Sequence, residues 1–144
     1  YLWVITLWKS MRRIFEYHGA EHKSIFTLEA GESLTLENVR KYSTHHPRCG
    51  TNFLLIVMMV SIAVFIFFPR PYTLADRLFR LLFVPLIAGI SYELIKICGK
   101  KRNSKLVRAL AAPGLWLQRL TTKEPNDEQL KVAIAALESS LKGN

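Results

Sequence analysis

His18-Gly19-Ala20-Glu21-His22 spells H-x-x-E-H, the inverse of the zinc-protease order H-E-x-x-H. On a helix, residues four apart lie one turn above each other, so His18 and His22 can grip one metal ion together. Glu21 beside them has the chemistry of a general base, or of a carboxylate that orients a ligating imidazole. The competing reading is a histidine pair hydrogen-bonded within a packed helix, with no metal.

A second cluster is His45-His46-Pro47-Arg48-Cys49-Gly50-Thr51-Asn52. His46 and Cys49 have the H-x-x-C spacing that suits one soft metal, zinc first and another divalent ion second. Arg48 supplies fixed positive charge that could steady a developing anion. Thr51 or Asn52 is expected to cap the helix that follows, placing Cys49 just outside its positive end, where thiolate, phosphate or carboxylate is welcome. The plainer reading is a Pro-Gly turn in which Arg48 reaches to headgroups and Cys49 packs as a small hydrophobe. Glu93 is the third element, because a carboxylate in an apolar helix normally faces a partner or a cavity. Its simplest partner is Lys96, three residues on. Glu124 is a minor candidate, and a Cys49–Cys98 disulfide is not expected in a cytoplasmic setting.

These residues flank apolar segments. No charged residue occurs from Cys49 to Pro69, and Phe53 to Phe68 is apolar except for Ser61. A hydrocarbon layer ~30 Å thick needs about 20 such residues, so a transmembrane span is expected over about 51–69. A second span is expected over about 78–98, capped by Thr73 with Asp76 and kinked at Pro85 and Gly89. The short Pro69-Arg70-Pro71-Tyr72 connection makes the two an antiparallel hairpin, with both chain ends on one side. Arg70, Arg77 and Arg80 mark the turn; Arg40, Lys41, Arg48, Lys100, Lys101, Arg102, Lys105 and Arg108 mark the other side. The richer side is expected in the cytoplasm, which places the motif cluster at the cytoplasmic face of the cell membrane.

The formal charge of +9 then reads as contact with anionic inner-leaflet lipid. No arginine–aromatic nucleic-acid motif accompanies it, although a ribosomal or other acidic partner stays open. Tyr1 to Trp8 reads as the end of an earlier membrane helix, and Ser10 to Arg13 as its cytoplasmic limit. Ile14, His18, Glu21, His22 and Ile25 recur as one helical stripe, which predicts a buried face, with a close approach at Gly19. Leu106, Leu110, Leu115, Trp116, Leu117 and Leu120 form an interfacial segment broken at Pro113-Gly114. Asn126 with Gln129 starts a last amphipathic helix that Gly143 stops. The fold class is therefore all-α: a polytopic membrane protein divided into 1–48, a hairpin at 49–98, and interfacial and C-terminal helices at 99–144.

The strings YHGAEHK (17–23), LENVR (36–40), HPRCGTNF (46–53), PLIAGISYE (85–93) and PGLWLQRLTTKEP (113–125) resemble the YqhQ-like family, in order and over nearly the whole chain. That resemblance implies a bacterial membrane protein with further helices upstream, of a domain of unknown function commonly described as a predicted metal-dependent enzyme. On matching positions it points to His18, Glu21, His22, His46, Arg48, Cys49 and Glu93, with His45 outside the pattern. Two functions follow. One is an integral membrane zinc hydrolase: His18, His22 and one of His46, Cys49 or Glu93 hold the metal, Glu21 takes a proton, and Arg48 steadies charge. The other is a scaffold, assembly factor or accessory subunit of a larger membrane complex, using the same residues structurally.

Overall fold

In a computed structural model, residues 2–100 and 104–143 are described. They form helices α1 (Leu2–Ile5), α2 (Lys9–Glu29), α3 (Leu36–Arg40), α4 (Gly50–Phe65), α5 (Leu74–Leu81), α6 (Phe83–Lys100), α7 (Lys105–Thr121) and α8 (Asp127–Lys142), with no strand among the described residues. Tyr1, Lys101 and Arg102, with the side chains of Lys100 and Leu106, lie outside the description, so their expected roles do too. The chain divides into two compact units. The first holds residues up to His46 and from Trp116 onward; the second is Pro47–Leu115.

In the first unit α2 packs on α3 and α8 around Ala20, Val39 and Leu130, with Leu34, Leu36, Ala133 and Ile134 against them. The buried face of α2 is Gly19, Ala20, His22, Lys23, Ser24 and Thr27. That corrects the expected stripe, because Ile14 and Glu21 are exposed. Small side chains decide the rotation: they let the helices approach closely. The hydroxyls of Ser24 and Thr27 donate back to the Ala20 and Lys23 carbonyls, at 2.9 Å each, so they enter the core without orphaned polar atoms. Gly31 takes a φ of 74°, the left-handed turn that ends α2. Arg40 forks onto Asp127; that contact raises the guanidinium pKa and lowers the carboxyl pKa, chiefly through the shared hydrogen bond. Both groups are solvated, so the pair fixes direction more than stability.

Asn126 caps α8 reciprocally with Gln129, whose amide also donates to Glu16 Oε2 at 2.9 Å. Asn126→Ala is expected to cost about 1 kcal/mol. Chemical denaturation followed by circular dichroism checks it, and an unchanged midpoint would rule the cap out as a contributor.

In the second unit α4 and α6 run antiparallel. Arg48 lies over Gly99 at one end, and Phe65 and Phe68 meet Phe83 at the other, with ring centroids 6.3 and 5.1 Å apart. Ile56, Ile87, Ile95 and Cys98 are buried, while Leu54, Ile62, Ile66, Phe67, Leu82 and Leu86 are exposed. Leu74–Gly99, 26 residues long, is long and apolar enough to cross a membrane. The span expected over 51–69 is shorter: the 16 residues of α4 rise only about 24 Å at 1.5 Å each. Pro69 explains the stop, since it forces the residue before it out of helical geometry. The second helical segment starts at the expected reciprocal Thr73–Asp76 cap. It breaks at Leu82, where the ring of Pro85 would meet the Leu81 carbonyl one turn back.

A further correction concerns α7, which runs unbroken through Pro113 and Gly114. Gly114 is buried against Asn52, where a Cβ would collide with the amide. Packing thus holds the helix through residues whose intrinsic preference is to end it.

Candidate metal centre

The first unit gathers all four histidines of the chain. His18 is half-buried and His22 buried, one turn apart on α2, with ring centroids 4.3 Å apart and a ring nitrogen of each within 4.8 Å of the other. His18 Nδ1 lies 2.9 Å from the Thr121 carbonyl oxygen, and His22 Nδ1 lies 2.6 Å from that of Thr44. A carbonyl oxygen only accepts, so each Nδ1 carries the proton and donates. In the neutral ring the basic lone pair then sits on Nε2 of both histidines. Backbone carbonyls used this way are the usual outer partners of metal-ligating imidazoles.

The wall facing His18 is the segment after α7. Lys123 N–H donates to the Phe15 carbonyl at 2.9 Å, and Glu124 pairs with buried Lys23 at 2.6 Å. Lys23 also donates to the Arg40 carbonyl at 3.3 Å. The close approach expected at Gly19 is here: a Cβ would overlap the Lys123 carbonyl oxygen and stand 3.2 Å from Thr44 Cγ2.

His46 is held as a backbone as well as a ring. The Gln118 amide accepts from its N–H at 2.7 Å and donates to its carbonyl at 2.8 Å. Its ring packs on Phe26, 4.3 Å between centroids, and lies 5.8 Å from the His22 ring. His46 Nε2 faces Glu29 Oε2 at 3.3 Å. His45 places Nδ1 near the Thr44 hydroxyl at 3.3 Å, and its Nε2 is buried with no partner among the described residues. Burial first, then the charges of Arg119 and His22, push its pKa below the ordinary imidazole value, against Glu124.

The remaining expected site residues take other positions. Glu21 is exposed and lines an apolar groove of about 320 Å³ between α2 and α8, with Tyr17, Ile25, Val132, Ala136 and Leu137. It therefore leaves α2 on a different side from the buried His22. Arg48, Cys49 and Glu93 belong to the second unit. There Cys49 itself caps α4, its sulfur accepting from Thr51 N–H at 3.4 Å, a role expected of Thr51 or Asn52. Asn52 turns back to donate to the Pro47 carbonyl. Glu93 is exposed and 3.3 Å from Lys96, the ion pair with its own helix neighbour.

Sequence reasoning missed Gln118, Glu29, Lys23 and the carbonyls of Thr44 and Thr121. Gln118 and Lys23 carried a signal, a long polar side chain at a helix position that turns out buried; the carbonyls carried none, since every residue type has one.

The family described as "Protein of unknown function (DUF1385)" matches residues 1–143. "Uncharacterized protein YqhQ" of Bacillus subtilis (strain 168) is 38% identical over 142 residues, covering 99% of this chain and 45% of that protein. The chain thus spans about half the length of the curated relative it matches. No solved structure matches.

Proposed function

Since the chain belongs to the DUF1385 family, whose description assigns no activity, its function has to come from its own residues, and we propose a membrane protein in which His18 and His22 hold a divalent metal, zinc by donor chemistry, for hydrolysis at the cytoplasmic membrane face. One observation carries the metal: two imidazoles a turn apart, each with Nδ1–H committed to a backbone carbonyl, present two basic Nε2 atoms from one helix. A borderline-soft ion with nitrogen ligands fits that donor set. A third donor would come from His46, whose ring faces Glu29 and whose backbone Gln118 holds, or from Cys49 or Glu93. Bound there, zinc would lower the pKa of a water toward ~7 and polarise a substrate carbonyl or phosphoryl group. Glu21 opens to the α2–α8 groove on another side of the helix, so no proton transfer is assigned to it. Leu74–Gly99 supports the membrane setting, and α4 beside α6 supports a multi-pass hairpin whose ends face the cytoplasm by the lysine and arginine distribution.

A second reading is a non-catalytic scaffold, favoured by the structural use of Arg48, Cys49 and Asn52 in the second unit. Metal analysis of the detergent-purified protein separates the two. About one equivalent of zinc is expected in the wild type and none in His18→Ala/His22→Ala, with circular dichroism unchanged. His46→Ala and Cys49→Ser, tested singly, identify the donor completing the pair, Cys49 being included for its H-x-x-C spacing. Glu21→Gln should retain the metal. A wild type without stoichiometric zinc, or a double variant that keeps it, would sink the metal reading.

A further inference from the structure

The first unit carries an apolar surface that neither core nor candidate metal site uses. Trp3, Val4, Leu7, Trp8, Met11 and Ile14 lie along α1, the non-helical turn after it and the start of α2. Trp3, Leu7, Trp8 and Ile14 are 65, 67, 68 and 54% exposed. Single exposed hydrophobics are ordinary, but a run of this length with two tryptophans marks a docking surface. The chain between the helices is tied locally, with Leu7 N–H and Trp8 N–H donating to the Val4 and Ile5 carbonyls at 3.2 Å each. Lys9, Arg12 and Arg13 follow directly, all exposed. Arg12 reaches Glu16 at 3.2 Å and Arg13 lies over the Tyr17 ring at 5.9 Å, so both basic heads stay at the surface beside the apolar run.

We propose that residues Trp3–Ile14 seat on an anionic lipid bilayer, with the apolar side chains at the headgroup–acyl boundary and Lys9, Arg12 and Arg13 on lipid phosphates. The occupant follows from charge and shape together. A protein groove would match a few anchors, whereas tryptophans beside clustered cations match the layered chemistry of a lipid interface, apolar below and anionic above. A bilayer is also the surface that a chain carrying Leu74–Gly99 keeps at hand. The inference does not depend on whether metal is bound.

Trp116→Phe leaves Trp3 and Trp8 as the only tryptophans, so their fluorescence reports this segment alone. The variant is reconstituted into phosphatidylcholine–phosphatidylglycerol vesicles, and quenching is compared between spin-labelled phosphatidylglycerol and spin-labelled phosphatidylcholine at equal mole fraction. Both lipids should quench, and the anionic one about threefold more, as three surface cations would enrich it. Lys9→Gln/Arg12→Gln/Arg13→Gln should bring the ratio to about one while quenching persists. Circular dichroism verifies the fold, and these solvated positions leave the core untouched. Absence of quenching would mean that protein covers the stripe, and would overturn the proposal. Equal quenching by both lipids in the parent, or a ratio unchanged in the triple variant, would overturn it as well.

Discussion

Gly19→Ala should destabilise the first unit by about 1–3 kcal/mol, although alanine is the better helix former by about 1 kcal/mol. The added methyl lands on the backbone oxygen of Lys123, which has no rotamer to escape into. Either α2 or the segment after α7 must move. Movement there breaks the Lys123 N–H bond to Phe15 and draws the Thr121 carbonyl away from His18 Nδ1. Urea unfolding of the detergent-solubilised protein measures the loss. In the metal reading the variant should also bind zinc more weakly, by about 10–100-fold, since an outer partner of His18 has shifted. A variant as stable as the wild type would show that the contact at Gly19 is not tight, and would remove the packing argument for that residue.

Gln118→Leu is the second large effect, expected at about 2–4 kcal/mol for a change that keeps side-chain volume nearly constant. Gln118 is fully buried and satisfies both main-chain groups of His46, itself buried. Leucine fills the space but leaves an N–H and a C=O without partners, each costing about 1–3 kcal/mol away from water. The melting temperature should drop by about 10 °C or more. Gln118→Glu is the informative control, because a carboxylate still accepts from the His46 N–H and loses only the donor half. A leucine variant no less stable than the glutamate variant would mean that water replaces the clamp.

Much of the architecture was legible in the residues. The caps at Thr73 and Asn126 need only local geometry, and both form. The close approach at Gly19 was readable because a helix interior seldom keeps a glycine without reason. Other features were not. The buried face of α2 was misplaced because the stripe Ile14–His18–Glu21–His22–Ile25 is continuous in pattern, while packing chose the smaller Ala20, Ser24 and Thr27. A hydrophobic count cannot foresee that a back-bonded serine buries more readily than an isoleucine. Pro113-Gly114 read as a break because propensity is local, and the contact between Gly114 and Asn52 is not.

The candidate site divides along the same line. H-x-x-E-H by itself determined that His18 and His22 share one side of a helix, since spacing and helical periodicity require nothing more. Composition by itself determined that an apolar helix of membrane length occurs within residues 74–99. Tertiary structure alone decided which nitrogen of each imidazole carries the proton, because the deciding carbonyls, Thr44 and Thr121, lie far along the chain from their histidines. It alone decided that Glu21 opens to solvent while His22 is buried, since that depends on which neighbours α2 meets. A backbone carbonyl has no residue identity, so no reading of side-chain types could have found the two atoms that turn a histidine pair into a candidate metal site.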